Sequence, residues 1–221
     1  MLIDGAARYE ATVVLAHGAG APMDTPFMTA IAEGIAAAGH RCVRFEFPYM
    51  ARRRKDERKR GPDRMPVLLQ SWADTLAEIG DTRGPLVIGG KSMGGRSAAV
   101  FAGDQDNAAR LAGVICLGYP FHPPGKPENT RLEPLQAATR PTLILQGERD
   151  PFGKPDEIAG YSLKAPVSLE WVPDGDHSFV PRKRSGHTED RNLSYAVRAI
   201  TAFVESLPHI DPRRSTTTRR L

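Results

Sequence analysis

Short, nearly continuous apolar runs alternate along this chain with longer segments whose apolar residues recur every three or four positions. The runs are ATVVLAHG (11–18), HRCVRFEFPY (40–49), PLVIGG (85–90), AGVICLGYP (112–120), PTLILQG (141–147) and VSLEWVPDG (167–175). Runs of this length, closed by Gly, Pro or Asp, read as strands buried on both faces. The segments between them read as helices. In TPFMTAIAEGIAAAG (25–39), Thr25 can cap the start, Pro26 suits the first turn and Gly39 suits the end. PVLLQSWADTLAEIG (66–80) places apolar residues at 68, 69, 72, 76 and 79. SMGGRSAAVFAG (92–103), RLEPLQAAT (131–139) and LSYAVRAITAFVESLP (193–208) follow, with a short helix near Pro155–Gly160. Such alternation predicts an α/β protein of three layers, with a mostly parallel sheet of about six or seven strands covered on both faces. There is no internal repeat.

Composition adds boundaries. The 221 residues are enough for one domain with a real core, and 40% hydrophobic with 25% charged residues is an ordinary globular balance. The expected domain is 1–208, followed by a disordered basic tail, 209–221. The net charge of +4 is uneven: RRRKDERKR (52–60) alone contributes +5, and Arg213, Arg214, Arg219 and Arg220 add to it. The rest of the chain has no positive excess, so no basic face across the fold is indicated. The 52–60 run has no aromatic residue for base stacking and reads as a solvated, mobile arm that can be deleted without unfolding the domain. Nucleic acid is not an expected partner. Cys42 and Cys116 each lie in an apolar run and read as buried thiols, with no metal or disulfide spacing. No apolar run reaches the roughly 18 residues of a membrane helix, and MLIDGAARYEATVV lacks the basic and apolar regions of a signal peptide. A cytoplasmic protein without a membrane partner is expected; its oligomeric state is left open.

The candidate chemistry centres on LVIGGKSMGGRSAAVFA (86–102). Gly-Lys-Ser could close a phosphate-binding loop, and Gly-x-Ser-x-Gly could carry a nucleophilic serine. A Walker A loop would need Gly at position 85, where Pro85 stands; Gly84 is one residue out of register. Leu86-Val87-Ile88 is also strand-like and cannot wrap a phosphate with free amides. The second reading fits. Gly90-Lys91-Ser92-Met93-Gly94 follows a strand and opens a helix, as a nucleophile elbow requires.

A serine nucleophile needs a base, and the base needs an acid to orient it. Asp150 follows the strand TLILQG, and His177 follows VSLEWV. Both sit at the C-terminal ends of strands, where open α/β sheets bind ligands, and the order Ser92, Asp150, His177 suits this type of site. Asp174 and Asp176 are weaker rivals for the acid, because a neighbour of His177 reaches that ring's Nδ1 poorly; Glu148 is weaker still. HGAG (17–20) can supply an oxyanion donor, the N–H of Ala19, to complement that of Met93. His17 itself reads as a turn histidine that packs and bonds to backbone. His122, in YPFHPPGKPE, is a possible substrate-pocket residue at the site mouth, or an incidental histidine of a rigid loop. Lys91 is expected at the surface or over the pocket rim.

These segments carry a resemblance. LAHGAGAPMDTPFM, FEFPYM, GPDRMP, GGKSMGGR, PFHPPGKPE, GERDPFG and DGDHSF, spread over about 12–182, make the chain similar to small α/β-hydrolases. More narrowly it resembles the group that includes testis-expressed protein 30 and the hydrolase-like domain of subunit 3 of the NSL histone acetyltransferase complex, with bacterial homologues. The resemblance implies Ser92 as nucleophile, His177 as general base and acid, and Asp150 as orienting acid. The resemblance implies the hydrolase fold and does not settle the substrate. Read with the triad candidates, the expected activity is that of a serine hydrolase of carboxylesterase type on a small-molecule acyl substrate, with no metal or organic cofactor. Ester, thioester and amide substrates are not separated. About twenty residues lie between Tyr119 and Pro141, too few for a large lid, so small or exposed acyl groups are expected. One departure matters. Only 16 residues precede the HG turn, so the N-terminal sheet edge is expected to be trimmed. Some members of the group serve as interaction scaffolds, so an interaction module with a silent triad is the alternative.

Overall fold

The computed structural model describes residues 1–208; the expected tail 209–221 lies outside the described residues. The strands are β1 (Leu2–Asp4), β2 (Thr12–Ala16), β3 (Arg41–Phe45), β4 (Leu86–Lys91), β5 (Gly113–Leu117), β6 (Thr142–Gly147) and β7 (Val167–Val172). They form one sheet in the order β1-β3-β2-β4-β5-β6-β7. Every pair is parallel except β1 with β3. This is the mostly parallel, three-layer α/β architecture that the alternating pattern predicts.

The helices are α1 (Pro26–Ala37), α2 (Pro48–Asp56), α3 (Met65–Ile79), α4 (Met93–Ala102), α5 (Gln105–Ala108), α6 (Glu133–Gln136), α7 (Pro155–Ile158) and α8 (Glu189–Ser206). On one face α1 and α8 cover Val13, Leu15, Val87, Ile115 and Leu143. On the other, α3 and α4 cover Val14, Val43, Ile88, Val114 and Ile144. Alternate residues of the same strand enter opposite cores, so β2, β4 and β5 read as unbroken apolar runs. Thr25 caps α1 by accepting the Met28 N–H at 3.3 Å, as its sequence predicts.

Three elements escape the sequence pattern. β1 is only three residues long, and its place comes from a distant pair. Arg44, 4% exposed, meets Asp4 with Nε–Oδ2 and Nη2–Oδ1 contacts of 3.1 Å each, and Nη1 donates to Thr29 Oγ1 at 2.8 Å. α5 is a single turn capped by Asp104, which accepts the Asn107 N–H at 3.0 Å.

α2 corrects the reading of 52–60 as a mobile arm over its first half, 52–56. Two of its basic residues, Arg52 and Arg54, meet acids elsewhere in the chain, and a third bonds to a main-chain carbonyl. Arg54 bridges Glu46 (2.7 Å) and Asp24, Arg52 meets Asp63 at 2.9 Å, and Arg53 donates to the Gly20 carbonyl at 3.2 Å. Part of the charge density that suggested solvation is matched by Asp24, Glu46 and Asp63, while Lys55, Arg58 and Lys59 remain exposed.

Candidate active site

The elbow is built by close backbone approach. β4 hands over to α4 at Ser92, whose φ of 51° and ψ of −112° are strained for a residue with a side chain. The turn is tight because the neighbouring residues lack side chains. A Cβ at Gly90 would stand 2.1 Å from the Ala16 carbonyl oxygen, and one at Gly94 2.3 Å from the same atom. α4 can therefore lie directly on β2 and β4. Trp72, buried under Phe45 with ring centroids 4.7 Å apart, donates to Ser97 Oγ at 3.0 Å and braces α4 from behind.

Asp150 and His177 are brought together by the loops after β6 and β7. The two side chains meet with Nδ1–Oδ2 of 2.7 Å; Asp150 is fully buried and the imidazole is 24% exposed. The other Asp150 oxygen accepts the Phe152 N–H at 2.9 Å, which fixes the carboxylate in plane. Phe152 lies against the imidazole with centroids 4.4 Å apart. Gly118, just past β5, leaves the space for this ring. A Cβ there would approach His177 Nδ1 to 3.1 Å and Lys91 Nζ to 2.9 Å.

The rival acids are engaged elsewhere. Asp174 accepts the Arg182 N–H at 2.7 Å and the Arg182 Nε–H at 2.8 Å, and Arg182 holds its carboxyl well down, at about 2. Glu148 accepts the Asp174 N–H at 2.7 Å. Asp176 accepts the amides of Ser178 and Val180 and closes the turn that carries His177.

Ser92 and His177 line one cavity of about 400 Å³, together with Gly18, Ala19, Phe27 and Met28. A second cavity of about 410 Å³ meets the first at Ser92, Ala19 and Phe152, and Met93 lines it. Among the described residues, the Ser92 hydroxyl has no protein partner. The expected line of three residues is thus joined at its Asp150–His177 half, with the serine free beside it. The Ala19 and Met93 amides likewise donate to no protein acceptor among the described residues. The Ala19 carbonyl, by contrast, accepts the Tyr49 hydroxyl at 2.9 Å, which sets the orientation of the HGAG turn.

His17 is a structural residue of that turn. Nδ1 donates to the Gly18 carbonyl at 2.7 Å and Nε2 accepts the Phe47 N–H at 3.1 Å. Burial lowers its pKa, which suits the neutral tautomer these bonds require.

His122 departs from the expectation that it stands at the pocket mouth. It is 2% exposed and lines neither cavity. Its Nδ1 lies 2.8 Å from the Pro123 carbonyl and its Nε2 3.3 Å from Glu157, so the ring ties its loop to α7. The Pro-rich loop bends it inward, a direction that sequence spacing does not reveal.

Lys91 lines the cavity of Ser92 and His177, so of the two places expected for it the structure has it at the pocket. Rather than reaching the surface, its ammonium lies 5.1 Å from the Phe27 ring centroid and 5.6 Å from that of Phe179, and it donates to the His177 carbonyl. Burial lowers its pKa to about 8, against the opposing pull of Asp150 and Asp176. The sequence signal was present in its place as the last residue of a buried strand, where the side chain has to follow the sheet face.

Several solved structures share this fold. An alpha-beta serine hydrolase homologue from Coxiella burnetii superposes with a TM-score of 0.64 at 18% identity, over 91% of this chain and 89% of that one. Est1E from Butyrivibrio proteoclasticus gives 0.62 at 16% identity, over 91% and 90%. A dienelactone hydrolase from Anabaena variabilis gives 0.65 at 19%, over 93% and 90%. At these identities the likeness is one of fold. The model of the alpha/beta hydrolase domain matches residues 9–205, from the approach to β2 through nearly all of α8, and the chain belongs to that family.

Proposed function

We propose that this protein is a serine hydrolase of carboxylesterase type, acting on small or exposed acyl esters through Ser92, His177 and Asp150. The observation that carries the reading is the 2.7 Å contact between Asp150 and His177, opening on the cavity where Ser92 stands at a strained turn. His177 Nε2 takes the Ser92 proton as Oγ bonds to the substrate carbonyl carbon. The developing oxyanion is received by the Ala19 and Met93 amides, whose lack of protein acceptors among the described residues supports the role. The carbon–oxygen bond to the alcohol then breaks, and His177 returns its proton to the leaving oxygen. Water, deprotonated by the same ring, attacks the acyl carbon; the bond to Ser92 Oγ breaks, His177 returns the proton to Oγ, and the acid leaves. These steps call on no cofactor.

Between Tyr119 and Pro141 only the four-residue α6 is helical, too little for a large lid in that segment, which suits small or exposed acyl groups. The hydrolase domain is proposed to span 1–208. Among those residues no helix is long and apolar enough to cross a membrane, and a cytoplasmic location is part of the same proposal.

The test is covalent labelling. A fluorophosphonate is expected to mark Ser92, and Ser92→Ala is expected to abolish both labelling and hydrolysis of a short 4-nitrophenyl ester. A folded wild type that neither labels nor turns over any short ester overturns this reading in favour of an interaction module on a hydrolase fold.

A further inference from the structure

Two arginines share the second cavity beside Ser92. Arg96 stands one helical turn beyond the nucleophile on α4, with its N–H on the Ser92 carbonyl at 3.0 Å. Arg131 comes from the loop before α6, and its backbone is pinned on both sides. Its N–H donates to the Phe121 carbonyl at 2.7 Å, and its carbonyl accepts the Tyr119 hydroxyl at 2.8 Å. Tyr119 and Phe121 are fully buried and in ring contact, so this anchor is rigid.

Neither guanidinium has an acidic partner among the described residues. Arg96 Nε is buried without a hydrogen bond. Asp63 is the acid in that cavity, and both its oxygens are taken, by Arg52 Nη2 and by the Tyr49 N–H, each at 2.9 Å. Burial and the nearby charge of Arg96 lower the pKa of Arg131, as expected of two cations held close without a counter-charge. Unsatisfied guanidinium donors in a cleft favour a planar anion that can accept several of them at once.

The chemistry says which part of a substrate reaches them. His177 has to protonate the leaving alcohol, so the alcohol lies on the His177 side, in the apolar cavity with Phe27 and Met28. The acyl group extends the other way, past Met93 and towards the arginines. We propose that the Arg96–Arg131 cavity is the acyl subsite and that it selects acyl groups ending in a carboxylate, as in half-esters of short dicarboxylic acids. This rests on the serine-hydrolase reading above.

The experiment compares mono(4-nitrophenyl) glutarate with neutral 4-nitrophenyl pentanoate, which has the same acyl length. In the wild type, kcat/KM is expected to favour the glutarate ester by ~10-fold or more, the scale of a charge-assisted hydrogen-bond pair. That ratio is expected to collapse towards one in Arg131→Gln and in Arg96→Gln, and to recover in part in Arg131→Lys. A wild-type ratio at or below one overturns the proposal, as does a ratio unchanged in both glutamine variants. If neither ester is turned over, the hydrolase reading fails, and calorimetric titration with glutarate decides the subsite separately. Saturable binding that is lost in Arg131→Gln supports it. Absence of binding, or binding of inorganic phosphate in preference to glutarate, overturns it.

Discussion

The ammonium of Lys91 donates to the main-chain carbonyl of His177, tying the residue before the elbow serine to the residue that carries the imidazole. The bond spans the sheet from the end of β4 to the loop after β7, and the aromatic faces of Phe27 and Phe179 close around it. One side chain therefore sets the spacing between the two loops that present Ser92 and His177.

Lys91 makes stability depend on alkaline pH in a defined direction. Its folded pKa of about 8 lies below the 10.5 of an unperturbed lysine. Between those values the unfolded chain holds more protons than the folded one, so stability rises with pH. Below about 8 both states are protonated, and the full cost of burying the charge is present. Lys91→Met removes that cost. The Tm of the variant relative to wild type is expected to be highest below pH 8 and to decline as pH approaches 10.5. Parallel Tm curves over pH 7–10 would refute it. The same variant loses the His177 tether, so kcat/KM is expected to fall by roughly 10- to 100-fold, the sensitivity of a reaction to small displacements of its catalytic groups.

Gly118→Ala tests the space beside the imidazole. Gly118 has a φ of +67°, and a methyl group there would press on His177 Nδ1, the atom bonded to Asp150. The ring is expected to turn away from the carboxylate. Ester hydrolysis is expected to fall by ~100-fold or more while circular dichroism remains native. Activity within twofold of wild type would show that the ring has room to spare.

Asp150 and Asp174 should separate cleanly in function. Asp150→Asn leaves His177 without its orienting anion, and a loss on the order of 10⁴-fold in kcat is expected. Asp174→Asn is expected to leave kcat nearly intact and to change acid stability instead. Asp174 has a folded pKa of about 2 against an ordinary 3.8, so its ion pair with Arg182 stabilises the fold above about 3.8 and is lost as pH falls towards 2. The variant should lack the part of the acid-induced decline in Tm that falls in this window. Equal kinetic losses in the two variants would refute the assignment of Asp150.

The parts of this fold legible in the sequence are those fixed by local pattern. β2, β4, β5 and β6 are continuous apolar runs because both faces of the sheet are covered, and the glycines around Ser92 announce a close strand–helix approach. The Asp150–His177 pair could be anticipated because each residue follows a strand that the pattern locates. What stayed hidden depends on contacts distant in sequence. β1 is held by Arg44, some forty residues away, and His122 is turned inward by its loop. The pairing of the Arg96–Arg131 cavity is equally non-local, since nothing in the spacing of 96 and 131 says that no acid will meet them. The helical start of the 52–60 run was masked by its charge, because solvation and cross-chain ion pairing leave the same signature in composition.

That run supplies the last prediction. Arg54 reaches Glu46, whose side chain is only 8% exposed, and Asp24, which lies in the loop between HGAG and α1. Arg53 holds the carbonyl of Gly20, next to Ala19. α2 thus ties down the segment whose Ala19 amide is proposed to meet the oxyanion. Arg54 itself is well exposed, which limits its direct worth, but removing it leaves the Glu46 carboxylate poorly solvated and unpaired. Arg54→Ala is expected to cost about 1 kcal/mol, read as a Tm fall of about 2–4 °C for a chain of this size. Arg58→Ala, four residues on, removes a side chain without an ion pair among the described residues and serves as control, with Tm expected within about 1 °C of wild type. Arg53→Ala should leave Tm nearly unchanged yet lower kcat more than it raises KM, because a loosened HGAG turn weakens donors that matter most in the transition state. If Arg53→Ala and Arg54→Ala both match wild type in Tm and kcat, 52–60 is the solvated arm that its composition suggests, and the oxyanion loop is held by Tyr49 and His17 without it.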